Sequence, residues 1–295
     1  MKYGVHFRSW DGLYSADRLP EFLRQAKEIG ADTFELFPPE YVIHCDKPKI
    51  RQLKAQITDI GLDLLLTCRY PANMDLASSE PGERQAGIAY MKQLIEGAAE
   101  LGCHEIGGII YSVWPHNFSS DMIDKNIKYE RTQRSIESLR AIMPTAESCD
   151  VYLNAEVLNR FEHYMLNTAE EGVHFCDQIE SSHFGLLLDV FHMNIEEESL
   201  EKAILTAGKH IGHFHVSEPN RMSPQRSSSR INWASVGKAL RDTAYCGSVT
   251  MEPIFLFLGQ ASYNSRMWRD LIEDTCSEAR LSILKDSLDF IKGTF

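Results

Sequence analysis

A chain of 295 residues with 43% hydrophobic and 24% charged residues, 18 Gly and 11 Pro, has the apolar material for a large core, which excludes a disordered, collagen-like or coiled-coil protein. Length alone suggests about two domains of roughly 150 residues each, unless the chain closes into one α/β barrel, a fold that reaches this size. The 30 Lys plus Arg stand against 42 Asp plus Glu, a formal charge of −12, and that average field repels phosphate backbones and anionic membranes, so no nucleic acid and no membrane partner is expected.

In chain order, the N-terminus Met1-Lys2-Tyr3-Gly4-Val5-His6-Phe7-Arg8 puts an arginine where a signal peptide needs its apolar run. No later stretch approaches a membrane span, and a cytoplasmic location is expected. Short β-type runs then alternate with longer helical segments. The strands are predicted at 3–8, 32–37, 62–67, 105–110, 150–155, 184–189, 211–216 and 247–252, and the clearest helices at 19–29, 83–101, 125–143, 168–180, 233–243 and 279–292. Gly30, Gly61 and Gly102 fall where a left-handed helix cap wants glycine. Eight βα units without a long linker or a composition break predict a single (β/α)8 TIM barrel spanning residues 1–295. A doubly wound alternative lacks its GxGxxG or GxxxxGK[ST] loop, and Gly107-Gly108 reads as tight packing at a strand end. Seven scattered cysteines without a CxxC fit reduced thiols. The triplet Asn117-Phe118-Ser119 carries no weight without secretion.

Side chains at the C-terminal ends of barrel strands converge on one mouth. Strand 5 finishes in Asn154-Ala155-Glu156, strand 6 in Leu188-Asp189, strand 7 in His213-Phe214-His215 and strand 8 in Met251-Glu252-Pro253. Each alone has a bland reading. Together, Glu156, Asp189, His215 and Glu252 gather three negative charges at one mouth, which calls for a cation, and three oxygens with one nitrogen suit Mn2+, Mg2+ or Co2+. His213 lies one layer deeper on the same face and reads as a hydrogen-bonded core histidine. Glu162, His192 and Arg221 follow these ligands on what read as loops over the mouth, where a hydroxylated substrate would need donors and acceptors.

The runs Glu156-Val157-Leu158-Asn159-Arg160-Phe161-Glu162, Leu166-Asn167-Thr168, Phe191-His192-Met193-Asn194-Ile195-Glu196-Glu197, Gly212-His213-Phe214-His215, Asn220-Arg221 and Met251-Glu252-Pro253 closely resemble the D-tagatose/D-allulose (D-psicose) 3-epimerase family of the xylose-isomerase-like sugar isomerase and epimerase barrels. The likeness extends through Met1-Lys2-Tyr3-Gly4, Gly107-Gly108-Ile109-Ile110-Tyr111-Ser112-Val113-Trp114-Pro115 and Trp268-Arg269-Asp270. It implies a metal-dependent ketose 3-epimerase acting on a free keto-sugar. Glu156, Asp189, His215 and Glu252 would hold a divalent ion, Mn2+ foremost, and Glu156 and Glu252 would double as the acid/base pair. Glu162, His192 and Arg221 would bind the O1 to O3 end of the sugar. Trp114 and Phe255 would form hydrophobic walls, and Cys68 and Phe7 are further substrate-binding candidates. A homodimer or homotetramer is the expected assembly.

The chain departs from the family on its loops. A Pro-Gly-x-Gly type segment after Arg221 is replaced by Met222-Ser223-Pro224-Gln225-Arg226-Ser227-Ser228-Ser229-Arg230; strand 3 runs into Cys68-Arg69-Tyr70; strand 1 ends in His6-Phe7-Arg8, where tyrosines are common. Arg69, Arg226 and Arg230 are either solvated or receive an anionic tail, so a phosphorylated or conjugated ketose is an alternative substrate. Other readings are an aldose–ketose isomerase on the same barrel, a metal-dependent abasic-site DNA nuclease, which the acidic charge argues against, and a non-catalytic sugar-binding barrel.

Overall fold

Eight short apolar runs pair in parallel, each strand with its neighbours in sequence, and the last returns to the first. In the computed structural model, which describes residues 1–10, 15–116, 118 and 122–295, the strands are β1 (Lys2–His6), β2 (Thr33–Leu36), β3 (Asp63–Tyr70), β4 (Glu105–Val113), β5 (Tyr152–Val157), β6 (Phe184–Asp189), β7 (Ile211–Val216) and β8 (Ser248–Met251), forming a closed barrel. Closure is made by β1 and β8, with Val5 opposite Met251. The predicted (β/α)8 architecture is the observed one. Asn117 and Ser119 of the glycosylation-type triplet lie outside the described residues.

The outer layer comprises α1 (Leu19–Glu28), α2 (Glu40–Ile43), α3 (Lys47–Ile60), α4 (Pro81–Leu101), α5 (Lys125–Cys149), α6 (Ala169–Ile179), α7 (Val190–Glu196), α8 (Leu200–Ala207), α9 (Trp233–Asp242), α10 (Gly259–Asn264) and α11 (Ser277–Thr294). Their apolar faces pack on the outward side chains of the strands. Among the described residues, none of these helices is long and apolar enough to cross a membrane, and all seven cysteines are free. Gly61 and Gly102 end α3 and α4 at φ 72° and 82°, the left-handed caps expected of them.

Three local expectations change. The helix predicted over 125–143 runs on to Cys149 with Pro144 inside it, at the loss of one backbone hydrogen bond. Gly107 and Gly108 sit within β4 rather than at its end. There a Cβ on Gly108, at φ 104°, would come within 2.6 Å of the Cys68 carbonyl oxygen, and one on Gly107 would press on Leu187. β1 stops at His6 and turns through a 3-10 segment, Phe7–Trp10, which carries Arg8 across the mouth.

Candidate active site

Period-two alternation sends every second strand side chain into the barrel. Glu156 in β5, Asp189 at the end of β6, His215 in β7 and Glu252 one residue past β8 therefore point to a common centre. Each offers one ligand atom such that all four lie within 4.8 Å of one another, and all four residues are buried. The β6–β7 register sets Asp189 directly opposite His215. Asp189 also caps α7, its Oδ1 accepting from Phe191 N at 3.0 Å, which fixes its rotamer.

Three buried carboxylates demand compensation. Arg221, 5% exposed, supplies part of it: Nη1 donates to Asp189 Oδ2 at 2.6 Å and to Glu252 Oε2 at 2.9 Å. Its backbone sits at φ 67°, held by Arg221 N to Glu218 O (2.8 Å) and Ile254 N to Arg221 O (2.9 Å), and the guanidinium carbon lies 3.9 Å from the Phe191 ring centroid.

Beneath the cluster lies a layer in which sequence reasoning placed His213 but missed Glu35. Glu35 of β2, 1% exposed, accepts at Oε2 from His213 Nε2 and His215 Nε2, both at 2.8 Å. A carboxylate only accepts, so both Nε2 atoms carry protons, and His215 Nδ1 is left for the cluster. It stands 3.3 Å from Glu252 Oε2 without making a hydrogen bond. His213 also reaches Glu105 with Nδ1, 3.1 Å from Oε1; it is the hydrogen-bonded core histidine expected. Burial works against a charged Glu35, but His215, His213 and His6 outweigh it and hold its carboxyl well below the usual range. Burial likewise opposes charge on His213, yet Glu35 and Glu105 raise it to about 9. His6, where desolvation dominates, falls to about 4.

The two glutamates of the cluster differ. Burial pushes the Glu156 carboxyl above its ordinary value, the charge of Glu252 adding to this against the hydrogen bond from His192. At Glu252 burial is outweighed by Arg221, His6 and His215, and its carboxyl lies well below.

A cavity of about 190 Å³ opens over this cluster. Among its lining are the expected Phe7, Cys68, Trp114, Glu156, Glu162, His192, Arg221 and Glu252. Glu162 accepts from Trp114 Nε1 at 3.1 Å. His192 is not on a loop but on α7, 2% exposed, because the chain turns into a helix directly after Asp189. Asn159 N donates to its Nδ1 at 3.2 Å, leaving Nε2 3.5 Å from Glu156 Oε1. Cys68 is a protonated thiol, pushed up to about 12 by burial.

Phe255 does not line the cavity. It is packed into the core at 1% exposure, where Leu271 N bonds to its carbonyl. Arg226 and Arg230 are absent from the lining too. Arg226 stacks over Phe290 of α11 at 5.2 Å and Arg230 borders a separate groove with Arg269, since Glu218 draws the loop outward by accepting from Gln225 N, Ser229 Oγ and Trp233 Nε1. Arg69 does line the cavity, joined by the unanticipated His6, Arg8, Phe37 and Thr67.

The fold and this carboxylate–histidine cluster define the class. Residues 23–256 match the xylose isomerase-like TIM barrel family. The D-psicose 3-epimerase of Ruminiclostridium cellulolyticum is 38% identical over 271 residues, covering 92% of this chain and 90% of that one. That of Enterocloster bolteae is 36% identical over 298 residues, covering 100% and 96%. A crystal structure of D-psicose 3-epimerase with D-tagatose from Clostridium cellulolyticum H10 superposes with a TM-score of 0.92 at 35% identity, covering 100% of this chain and 99% of that one. The chain belongs to the D-tagatose/D-psicose 3-epimerase family of the xylose isomerase-like barrels.

Proposed function

We propose that this chain is a metal-dependent ketose 3-epimerase, an isomerase that inverts C3 of a keto-sugar of the D-tagatose, D-allulose/D-fructose or L-ribulose type. The observation that carries the reading is the presence of Glu156 and Glu252, from strands three places apart, in one four-ligand cluster facing a sugar-sized cavity. The relatives named as D-psicose 3-epimerases support it.

A divalent cation fits the residues present. His215 Nδ1 is buried and without a hydrogen bond, three carboxylates surround it, and the oxygen-rich set suits Mn2+, with Co2+ or Mg2+ as alternatives. Glu156, Asp189, His215 and Glu252 would hold the ion. When bound, such an ion supplies Lewis-acid polarisation of the ketose carbonyl and its neighbouring hydroxyl.

The C3 hydrogen of a ketose is acidic because it adjoins the C2 carbonyl. Inversion requires proton removal on one face of the resulting cis-enediolate and return on the other, hence two carboxylates rather than one. Glu252 takes the proton on one face and Glu156 delivers one from the opposite face, and the roles exchange in reverse. Arg221 and His192 place donors beside the O1 to O3 end, where negative charge develops, and Glu162 accepts from a hydroxyl. Trp114, Phe7 and Cys68 flank the sugar and exclude water.

Metal removal tests this reading. Chelator-treated protein is expected to lose the interconversion of D-psicose and D-fructose and to regain it with Mn2+; full turnover by demonstrably metal-free protein would remove the ion from the mechanism.

A further inference from the structure

Arg8 stands beside the four-ligand cluster without belonging to it. The 3-10 turn Phe7–Trp10 that follows β1, anchored by the buried Trp10 against Phe22 and Phe34, carries Arg8 into the lining of the cavity. There its Nε lies 3.4 Å from Glu252 Oε1. The Glu252 carboxylate therefore faces two ways. Its Oε2 is turned to the cluster side, with Arg221 Nη1 at 2.9 Å and His215 Nδ1 at 3.3 Å. Its Oε1 is turned to Arg8 and to His6 Nδ1 at 3.6 Å. His6 Nδ1 accepts from Arg8 N at 3.3 Å and has no proton to give Glu252, so the positive charge on the Oε1 side is that of Arg8.

That charge is held in place by groups other than Glu252. Arg8 Nη1 donates to Ser265 Oγ at 2.8 Å, directly beyond α10, and the guanidinium carbon lies 5.6 Å from the Trp114 ring centroid. With its side chain only 12% exposed, Arg8 is tethered from several sides and does not swing into solvent when Glu252 takes up a cation. A divalent ion among Glu156, Asp189, His215 and Glu252 meets a permanent positive charge one carboxylate away. At the effective dielectric of a protein, charges several ångströms apart still change a binding constant by about tenfold or more. The same charge borders the cavity, where it favours the negative charge that forms on the ketose oxygens as the C3 proton leaves.

We propose that Arg8 is a fixed counter-charge of the metal site, which loosens the hold on the divalent ion and at the same time stabilises the negative charge developing on the ketose during inversion. The inference rests on the epimerase reading above and adds to it a charge-setting residue outside the ligand set.

The test titrates Mn2+ into metal-free wild-type, Arg8→Gln, Arg8→Met and Arg8→Lys proteins, following free Mn2+ by its electron paramagnetic resonance signal. In the two neutral variants the Kd for Mn2+ is expected to fall by about tenfold or more, while Arg8→Lys, which keeps the charge, stays within about threefold of wild type. With Mn2+ saturating, kcat for the conversion of D-psicose to D-fructose is expected to fall about tenfold in Arg8→Gln and Arg8→Met, with a smaller change in KM. Tighter metal binding with slower turnover is the signature of a charge, because loss of packing around Glu252 would weaken both together. Mn2+ affinity unchanged or weakened in both neutral variants, or an undiminished kcat, overturns the proposal and leaves the epimerase reading standing. Wild-type protein that binds no Mn2+ yet interconverts D-psicose and D-fructose overturns the metal dependence on which both rest.

Discussion

A single carboxylate, Glu35, decides how His215 is presented. By accepting from Nε2 of His215 and of His213 it sets the tautomer of the metal-type ligand and leaves Nδ1 facing Asp189, Glu156 and Glu252. Outer partners of this kind commonly govern affinity as strongly as a ligand does. Glu35→Leu keeps roughly the same volume but removes the oxygen that accepts from both imidazoles, so Mn2+ affinity is expected to fall by about 10- to 100-fold, read by titration of Mn2+ against its electron paramagnetic resonance signal. Unchanged affinity would show that the two imidazoles are ordered by the barrel alone. Glu156, Asp189, His215 and Glu252 could be picked out of the sequence because they recur near the ends of four successive strands and lie in the motifs of the family, whereas Glu35, next to last in β2 as Glu156 is in β5, lies in none of those motifs. Arg226 and Arg230 mislead for the opposite reason: they follow Arg221 closely in sequence, but Glu218 folds their loop away from the cavity.

At the scale of elements, close approach of backbone to backbone sets the constraints that periodicity cannot express. The punctuating Gly61 and Gly102 are readable, since each ends a helical pattern. Gly97 lies in the middle of α4 and reads only as a weak point in a helix, yet a Cβ there would stand 1.9 Å from the Val42 carbonyl oxygen of α2. Alanine ordinarily stabilises a helix interior over glycine by roughly 0.5–1 kcal/mol; here the clash with main chain is expected to reverse the sign, Gly97→Ala costing about 1–3 kcal/mol as overpacking does. Urea unfolding of the metal-free protein measures this, with Gly293→Ala in α11, where nothing lies within 4 Å of the new methyl group, as the control. A stabilised Gly97→Ala would mean that α2 is not seated on α4 as described. The strands were legible within a few residues because apolar runs bounded by glycines and helical segments leave few alternatives. The ends of α5 and β4 were not, because Pro144 is tolerated inside a helix and the β3–β4 register shifts between Arg69 and Tyr70.

For the molecule as a whole, barrel closure converts order along the chain into division of labour around a ring. Ligands drawn from β5 to β8 crowd one side of the mouth, Arg69 of β3 lines the other, and Arg8, in the turn after β1, lies beside Glu252. The formal charge of −12 hides this arrangement, since it averages a surface of solvated carboxylates with a few buried ones that Arg221 partly neutralises. The central claim is that Glu156 and Glu252 move a proton at C3 and leave C1 alone. It is tested most directly by following D-psicose in deuterated water by NMR with Mn2+-loaded wild-type, Glu156→Gln and Glu252→Gln proteins. The account predicts deuterium at C3, none at C1, and loss of conversion to D-fructose in both variants; deuterium entering C1, or epimerisation persisting in either variant, would contradict it.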